Sequence, residues 1–301
     1  MSATPKKNLP ASVRQRLLNL SKQRGQPFDL VLVRYGIERL LYRLGRSPHA
    51  GSFLLKGAML FAVWGENTPR PTRDVDLLGF GPADEAEVKA KFVELCTFAV
   101  EPDGLEFRAD SVMVEPIREE ASYPGLRVTL NAYLGNVRIP LQVDIGYGDA
   151  VTPAPAEVDF PPLLDFPAPR VRAYPYYTVA AEKLEALVLL GLANTRLKDF
   201  FDLWYLSRKF TFEGPLLTEA VTRTFARRNT GLPTAIPVAL TEDFVAQKVT
   251  IWAAFLRRNM LEPAELPAVL SAIRDFAMPV FAAAAAKQPL DRTWTPGKGW
   301  H

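Results

Sequence analysis

The stretch LLKGAMLFAVWGENTPRPTRDVDLLGF, residues 54–80, carries the most informative pattern in the chain. Near its end, Asp74 and Asp76 are separated by one residue in a segment that predicts a β-strand. Because side chains alternate along a strand, both carboxylates face the same side, while Val75 and Leu77 face the core. The stretch and its flanks predict in turn a strand, a short helix, a loop and a second strand, over residues 52–56, 57–63, 65–71 and 73–80.

The aspartate pair predicts a site for a divalent cation. Two carboxylates on one face repel each other unless a cation lies between them. A hard ion, Mg²⁺ or Mn²⁺, relieves the repulsion and prefers oxygen ligands. Asp144 ends an otherwise apolar strand candidate, where a lone carboxylate would be costly. Brought beside Asp74 and Asp76 by a neighbouring strand, it would complete a two-metal site. The alternative for Asp144 is an ordinary strand-end residue that leads into the next loop.

The turn from the first predicted strand into the short helix is a candidate phosphate site. It contains Gly57 and Ala58. Backbone N–H groups and the positive end of the dipole at a helix N-terminus favour phosphate. A plain strand-to-helix turn would contain the same residues, and it stays open as the alternative.

The rest of the chain predicts an α+β lobe followed by a helical lobe. Apolar residues at helical spacing predict helices in the first fifty residues and again after residue 83. Strand candidates, which predict a mixed sheet, follow at residues 111–117, 126–134 and 137–145. The last two are joined by a two-residue turn at Gly135-Asn136. We expect the last dozen residues to be poorly ordered. The predicted parts are N-terminal helices, an α+β lobe, a proline-rich extended connector and a helical lobe, over residues 1–50, 51–151, 152–175 and 176–301.

The composition argues against several classes of function. The chain has 301 residues, 48% hydrophobic and 23% charged, a balance typical of globular proteins. Its single cysteine, Cys96, excludes an internal disulfide and a cysteine-rich metal site, and we expect it to be buried. Only His49 and His301 could serve a histidine triad or zinc site, so we expect the chemistry to come from carboxylates, lysines and arginines. The net charge of +3 does not by itself indicate nucleic-acid binding.

We expect a cytoplasmic protein that does not bind membranes. No apolar run in the sequence approaches the ~18 residues that a membrane helix needs. The first ten residues, MSATPKKNLP, lack the apolar core of a signal peptide.

Two stretches carry a resemblance to a known family. Residues 54–80 resemble the signature of polymerase-β-like nucleotidyltransferases and are most similar to AbiEii/AbiGii-type toxins, including the MenT-type toxins. There the pattern is LKGG followed by R-x-S-x-D-x-D; here Ala58 replaces the second glycine and Thr72 replaces the serine. Residues 181–206, AEKLEALVLLGLANTRLKDFFDLWYL, resemble the family's helical motif, a lysine followed by R-x-K-D-x-x-D-L. That motif maps onto Lys183, Arg196, Lys198, Asp199 and Asp202. For Lys183, Asp199 and Asp202 the alternative is a set of helix-stabilising salt bridges.

The resemblance implies a two-lobed α+β nucleotidyltransferase with a palm-like lobe, a C-terminal helical lobe and an active site between them. The implied catalytic residues are Asp74, Asp76, Lys183 and Asp199. The implied metal ligands, for Mg²⁺ or Mn²⁺, are Asp74, Asp76 and Asp144. The implied nucleotide-binding residues are Gly57, Ala58, Thr72, Lys183, Arg196 and Lys198. A nucleoside triphosphate (NTP) would be the donor and the 3′ end of tRNA the acceptor. The implied role is the toxin of a toxin–antitoxin or phage-defence system, with a cognate antitoxin as partner.

Two other functions are compatible with parts of the pattern. A catalytically inactive RNA-binding or scaffold protein could keep the same fold, although the intact aspartates argue against it. A metal-dependent nuclease would also use clustered carboxylates, but it would place a lysine two residues beyond an acidic strand residue. In this chain the residue two positions beyond Asp144 is Gly146. Candidate RNA-phosphate contacts are Arg70, Arg73, Arg227 and Arg228. A solvated helix face is the alternative for the last two.

Overall fold

The structure, a computed structural model, describes residues 8–65, 70–117 and 125–301. It divides into two compact units. The first comprises Met1–Gly148 and Ala156–Ala173, and the second comprises Asp149–Pro155 and Tyr174–His301. Helices accompany a mixed sheet in the first unit, and the predicted α+β class is confirmed.

The first unit is a mixed β-sheet packed against helices. Its helices are α1 (Leu9–Arg24), α2 (Phe28–Arg46), α3 (Leu60–Trp64) and α4 (Glu85–Thr97). Its strands are β1 (Phe53–Lys56), β2 (Asp74–Gly79), β3 (Leu105–Pro116), β4 (Gly125–Leu134), β5 (Val137–Tyr147), β6 (Ala156–Asp159) and β7 (Arg170–Ala173). Within the described residues the strand order is β3-β4-β5-β2-β1-β7-β6. The pairs β2–β5 and β1–β7 are parallel and the other pairs are antiparallel.

The sheet buries one face and leaves the other polar. Along β4, Leu126 and Val128 are buried, whereas Arg127 and Thr129 between and after them are only partly covered. This alternation follows from the two-residue period of a strand. The buried face packs on α2, where Gly36 allows close approach: a Cβ at that position would lie 2.9 Å from Leu141 Cδ2. The polar face is therefore the side on which functional groups can lie.

Helix α2 crosses the first unit with charged residues inside the core. Arg39 Nε lies 3.1 Å and Arg43 Nη1 lies 2.7 Å from Asp103 Oδ2, and all three residues are buried. Glu38 is also fully buried, and its Oε2 accepts a 2.7 Å hydrogen bond from the Leu163 N–H. Because unpaired buried charges are costly, these contacts fix the segments before β3 and before β7 against α2.

The second unit is helical. Its helices are α5 (Tyr176–Leu190), α6 (Leu197–Lys209), α7 (Gly214–Arg227), α8 (Glu242–Arg258) and α9 (Leu266–Ala285). Its strands, which form a small sheet, are β8 (Phe212–Glu213), β9 (Thr293–Thr295) and β10 (Gly299–Trp300). Aromatic side chains fill its core. Phe200 stacks on Phe244 with ring centroids 4.8 Å apart, and Phe276 meets Phe212 edge-on at 4.9 Å.

Three sequence-based expectations about the backbone differ from the structure. Strand β3 begins at Leu105 rather than Ser111, because a bulge between Arg108 and Met113 interrupts the alternation that reveals a strand. The predicted extended connector contains β6 and β7, which extend the sheet. The last dozen residues are ordered, and the prediction for them was wrong. The Trp294 indole N–H donates to the Ser207 carbonyl at 2.6 Å, which fixes β9 against the helices.

One long helix of the second unit bears on the expectation about membrane segments. Helix α9 is long and apolar enough to meet the length and composition criteria for a membrane span. It contains Arg274 and Asp275, however, and its apolar residues, such as Ile273 and Phe276, are buried against α6 and α7. Buried core helices meet the same criteria, and this packing is that of a core helix. As predicted, Cys96 is buried.

The buried Glu38 predicts a pH-dependent stability of the first unit. Burial raises the pKa of Glu38 to about 7 from the ordinary 4.5. Its stabilising contribution is thus complete below pH 4.5 and is lost as the pH rises through about 7. Over this rise in pH we expect the wild type to lose at most about 3 kcal/mol of its free energy of unfolding. Glu38→Gln, which keeps an acceptor for the Leu163 N–H, should remove most of that loss. Urea denaturation at about pH 5 and about pH 8 measures it.

The control for this experiment is Glu106→Gln, because Glu106 is exposed on β3. Its pH dependence should equal that of the wild type. If wild type and Glu38→Gln lose the same free energy of unfolding between the two pH values, Glu38 is not the titrating group.

Candidate active site

Strand β2 presents Asp74 and Asp76 on one face, as predicted. Both side chains are partly covered, whereas Val75 and Leu77 are 1% and 2% exposed in the core. The Thr72 hydroxyl donates a 2.7 Å hydrogen bond to Asp74 Oδ1. Thr72 therefore orients a carboxylate in this structure, and its predicted contact with phosphate stays a prediction.

The strand register brings charged residues of four strands into one row. Asp76 pairs with Asp144 on the parallel neighbour β5 and with Lys56 on β1. Asp144 in turn pairs with Arg127 on β4. Neighbouring strands lie about 4.8 Å apart, so the two carboxylates at the centre of the row are close enough to repel each other.

Asp144 is neutralised by an arginine. Arg127 Nε donates to Asp144 Oδ1 and Arg127 Nη2 donates to Oδ2, each at 2.8 Å. Gln142 Nε2 lies 3.2 Å from both oxygens of the same carboxylate. The two hydrogen bonds from Arg127 form the planar, two-point contact that makes arginine–carboxylate pairs strong. The pKa of Arg127 is raised, chiefly by these hydrogen bonds to Asp144.

Gly57 is required by its close contact with Asp76. Its φ is 71°, a conformation that residues with a Cβ rarely adopt. A Cβ on Gly57 would lie only 1.9 Å from Asp76 Oδ2. The carboxylate thus lies against the backbone of the turn. Ala58, which replaces the family's second glycine, is buried and its methyl group is accommodated.

The aspartate pair fits a hard divalent cation. Asp74 and Asp76 supply the oxygen donors that Mg²⁺ or Mn²⁺ prefers, on one face of one strand. Over residues 8–65, 70–117 and 125–301, no group of three or more His, Cys, Asp or Glu side chains converges as metal ligands. Asp144, the predicted third ligand, is engaged by Arg127. Asp74 and Asp76 fit the ion as they stand. Asp144 could bind it only by giving up at least part of its contact with Arg127.

A second cluster of predicted site residues lies in the helical unit. Lys183 Nζ on α5 lies 2.7 Å from Asp199 Oδ1 and 2.8 Å from Asp202 Oδ2, and both carboxylates are on α6. Arg196 Nε lies 2.8 Å from Asp199 Oδ2. The two aspartate side chains are at most 2% exposed. Burial raises the pKa of Asp199, but Lys183 and Arg196 outweigh it, and the pKa lies below its ordinary value.

This cluster changes how the predicted phosphate-binding cations are understood. Lys183 is mostly buried and compensates two carboxylates, so one of its roles is to stabilise the helical unit. Arg196 and Lys198 are exposed, and both lie at the N-terminal end of α6. Contact of any of the three with a triphosphate stays a prediction.

The candidate RNA contacts divide into exposed and buried arginines. Arg73 is exposed and lies 2.7 Å from Asp29, and Arg227 is exposed at the end of α7. Arg70 is buried, with 9% of its surface exposed. Arg228 Nη1 lies 2.9 Å from Glu185 and its Nη2 lies 3.0 Å from Asp149. Arg70 and Arg228 are therefore less accessible than Arg73 and Arg227, and contact of any of the four with RNA stays a prediction.

Arg127 is the residue of the site that the sequence-based prediction missed. A signal for it was present, because residues equally distant from a two-residue hairpin turn face each other. Counting outward from Gly135-Asn136 pairs Leu134 with Val137 and Arg127 with Asp144, as observed. The pairing of a cation with the proposed metal ligand could thus have been found from the strands alone.

The chain is a nucleotidyl-transferring enzyme by its family. A family model described as "Nucleotidyl transferase AbiEii toxin, Type IV TA system" matches residues 39–286, and the chain belongs to this family. Membership implies a nucleoside triphosphate as substrate and a cognate antitoxin. No curated protein matches the chain.

Two solved structures are similar to the chain over most of its length. The crystal structure of JHP933 from Helicobacter pylori is similar over 90% of this chain and 94% of the other, with 14% identity and a TM-score of 0.47. A second H. pylori crystal structure, provisionally described as a nucleotidyltransferase, is similar over 90% and 97%, with 14% identity and a TM-score of 0.43.

The helical cluster predicts that Lys183 is needed for stability. Lys183→Met would leave two buried carboxylates without their shared cation. We expect the free energy of unfolding to fall by about 3–5 kcal/mol, the cost of breaking a buried ion pair by removing one partner. Chemical denaturation followed by tryptophan fluorescence measures the change.

Two variants sharpen this test. Lys198→Met removes an exposed cation of the same motif and should change stability by no more than about 0.5 kcal/mol. The triple variant Lys183→Met, Asp199→Asn, Asp202→Asn removes the unpaired charges and should recover part of the loss. Wild-type stability in Lys183→Met would mean that the two aspartates do not depend on the lysine.

Proposed function

We propose that the protein transfers a nucleoside monophosphate from an NTP to an acceptor hydroxyl in a divalent-metal-dependent reaction, with the 3′ end of tRNA as acceptor. Its role would be that of the toxin of a toxin–antitoxin or phage-defence system in the cytoplasm. The observation that carries the proposal is the pair of carboxylates on the polar face of β2, with Asp74 held by Thr72 and Asp76 lying against Gly57.

The residues of β2 have distinct tasks in this reaction. Asp74 and Asp76 would bind the metal ion, which, when bound, neutralises the triphosphate and lowers the pKa of the acceptor hydroxyl. Thr72 holds the Asp74 carboxylate in one orientation through its 2.7 Å hydrogen bond. Gly57 leaves room for Asp76, because any larger residue would displace that carboxylate. Asp144 is a further candidate ligand, on the neighbouring strand.

The cations of the helical unit are proposed to bind the triphosphate. Arg196 and Lys198 are exposed at the start of α6, where side-chain charge and the helix dipole both favour an anion. Lys183 would act mainly by holding Asp199 and Asp202 in place. The base of the NTP is not specified by any of these contacts.

The acceptor proposal predicts exposed cations that contact RNA phosphates. Arg73 and Arg227 meet this requirement because both are exposed. Arg228 does not, since it is committed to Asp149, Glu182 and Glu185.

Loss of either aspartate should abolish transfer. In Asp74→Asn and Asp76→Asn we expect the rate to fall by at least about a thousandfold, because several kcal/mol of charge stabilisation would be lost, at about tenfold per 1.4 kcal/mol. The fold should persist, since neither side chain belongs to the core. Transfer of label from each α-³²P-NTP to total RNA, with Mg²⁺ or Mn²⁺, measures the rate.

The matched control is Asp110→Asn, because Asp110 is an exposed aspartate of β3 that pairs with Arg108. It should transfer at the wild-type rate. Transfer that continues in Asp76→Asn, or in wild-type protein with excess chelator, would refute metal-dependent catalysis at this pair.

Binding of the acceptor should depend on salt through the exposed arginines. Each RNA phosphate contact contributes a slope of roughly −0.7 to −0.9 to the dependence of log K on log salt. Arg227→Ala should therefore make the slope shallower by about one such contact and slow RNA labelling, without changing NTP binding. Filter binding of tRNA at several salt concentrations gives the slope.

Arg223→Ala is the control on the same helix, because Arg223 is exposed and lies 3.3 Å from Glu219 one turn away. It should leave the slope nearly unchanged. If no RNA accepts a nucleotide from any NTP, the tRNA acceptor is wrong, and a protein or small-molecule acceptor takes its place.

A further inference from the structure

The charged row through the active site extends over five strands. In register order it comprises Glu115 on β3, Arg127 on β4, Asp144 on β5, Asp76 on β2 and Lys56 on β1. Opposite charges are neighbours everywhere except at the centre, where Asp144 and Asp76 are adjacent. This central pair is the position at which an additional cation is most favourable.

Arg127 already supplies such a cation, but from one flank. It uses both carboxylate oxygens of Asp144, and an ion taken up by Asp144 would meet the guanidinium as a competitor of like charge. The pair is not locked in the core, since the Arg127 side chain is 35% exposed and Asp144 is 19% exposed. Although its two-point geometry is strong, both partners are open to solvent, so a divalent ion on Asp144 and a polyphosphate on Arg127 can together replace the contact.

The backbone of Arg127 is held in place by its strand, whereas its guanidinium group is partly exposed and can reorient. The neighbouring residues Leu126 and Val128 are buried, which holds β4 in place beneath the side chain. Released from Asp144, the guanidinium would remain on the polar face, two strands or about 10 Å from Asp76. A guanidinium binds a phosphate with the same two-point geometry as a carboxylate, so a polyphosphate is a suitable second partner.

We propose that Arg127 is an exchangeable counter-cation of the active site. In the metal-free protein it neutralises Asp144. When a divalent ion binds Asp144, Arg127 turns to the phosphates of the nucleotide. This inference rests on the proposed function and adds a phosphate-binding residue that the family signature does not contain. It also assigns Asp144 two alternating partners.

The test compares two equilibria in wild type and Arg127→Met, which keeps an unbranched apolar stem and removes the charged guanidinium. Binding of Mn²⁺ alone is followed by the electron paramagnetic resonance signal of the free ion. Binding of inorganic tripolyphosphate in saturating Mn²⁺ is followed by calorimetry, which makes the result independent of the base. We expect opposite signs. Mn²⁺ should bind about three- to fivefold more tightly, because a partly exposed competing ion pair is gone. Tripolyphosphate should bind at least about tenfold more weakly, because a charge-assisted two-point contact is gone.

Three further variants identify the cause. Arg108→Met removes the equivalent pair with Asp110 on β3 and should change neither equilibrium. Arg127→Lys keeps the charge without the two-point geometry. Its Mn²⁺ affinity should return most of the way to the wild-type value, whereas its tripolyphosphate affinity should recover only in part. Asp144→Asn in the Arg127→Met background should cancel the gain in Mn²⁺ affinity, since the gain requires that carboxylate.

The outcomes separate this proposal from the proposed function. If Mn²⁺ binds wild type but neither equilibrium changes in Arg127→Met, or both become weaker, Arg127 is structural and the inference is refuted. Tighter Mn²⁺ binding with unchanged tripolyphosphate binding refutes the phosphate role. If wild-type protein does not bind Mn²⁺, or Asp76→Asn binds it equally well, the proposed metal-dependent function fails first.

Discussion

The register between β2 and β5 sets two carboxylates, Asp76 and Asp144, on the same face of neighbouring strands. This arrangement costs electrostatic free energy unless cations surround it, and the flanking residues reflect that requirement. Arg127 lies on one side, Lys56 lies on the other, and Gly57 leaves space for the Asp76 carboxylate. The buried face of the same strands must then supply the stability. It does so with continuous apolar residues packed on α2.

The helical unit meets a similar requirement by different means. There, Asp199 and Asp202 are almost fully buried, and Lys183 pairs with both of them. Buried pairs of this kind contribute little net stability compared with apolar residues, but removing one partner strongly lowers the free energy of unfolding. The motif residues of the two units therefore differ in character. Those on β2 lie on a polar surface where a ligand can replace a neighbour, whereas Lys183 and its aspartates are committed to each other.

Much of the fold could be predicted because the local signals agreed with the final structure. The alternation along β2 predicts a strand, the Gly135 turn predicts a hairpin, and the helical spacing of α2 predicts a helix, as observed. Strand β3 was only half predicted, since its bulge breaks the period, and the C-terminal strands were missed because they depend on indole contacts with residues far along the chain. Among the site residues, Asp74 and Asp76 were recognisable from spacing. Salt bridges were an alternative for Lys183, Asp199 and Asp202, but the partners of Arg228 were not recognisable, because pairing between helices leaves no pattern in one sequence.

The path of the chain between the units affects how the protein can be divided. Residues 149–155 belong to the second unit, yet residues 156–173 return to the first and supply β6 and β7. Strand β7 pairs with β1, which lies beside β2. A fragment that stops after β5 would thus expose β1 as a bare edge one strand away from the aspartates, open to association with other chains. During synthesis the sheet likewise remains incomplete until Ala173 has left the ribosome. All residues of the charged row precede β6 and β7 in the chain, so the row is synthesised before the strands that cover the β1 edge.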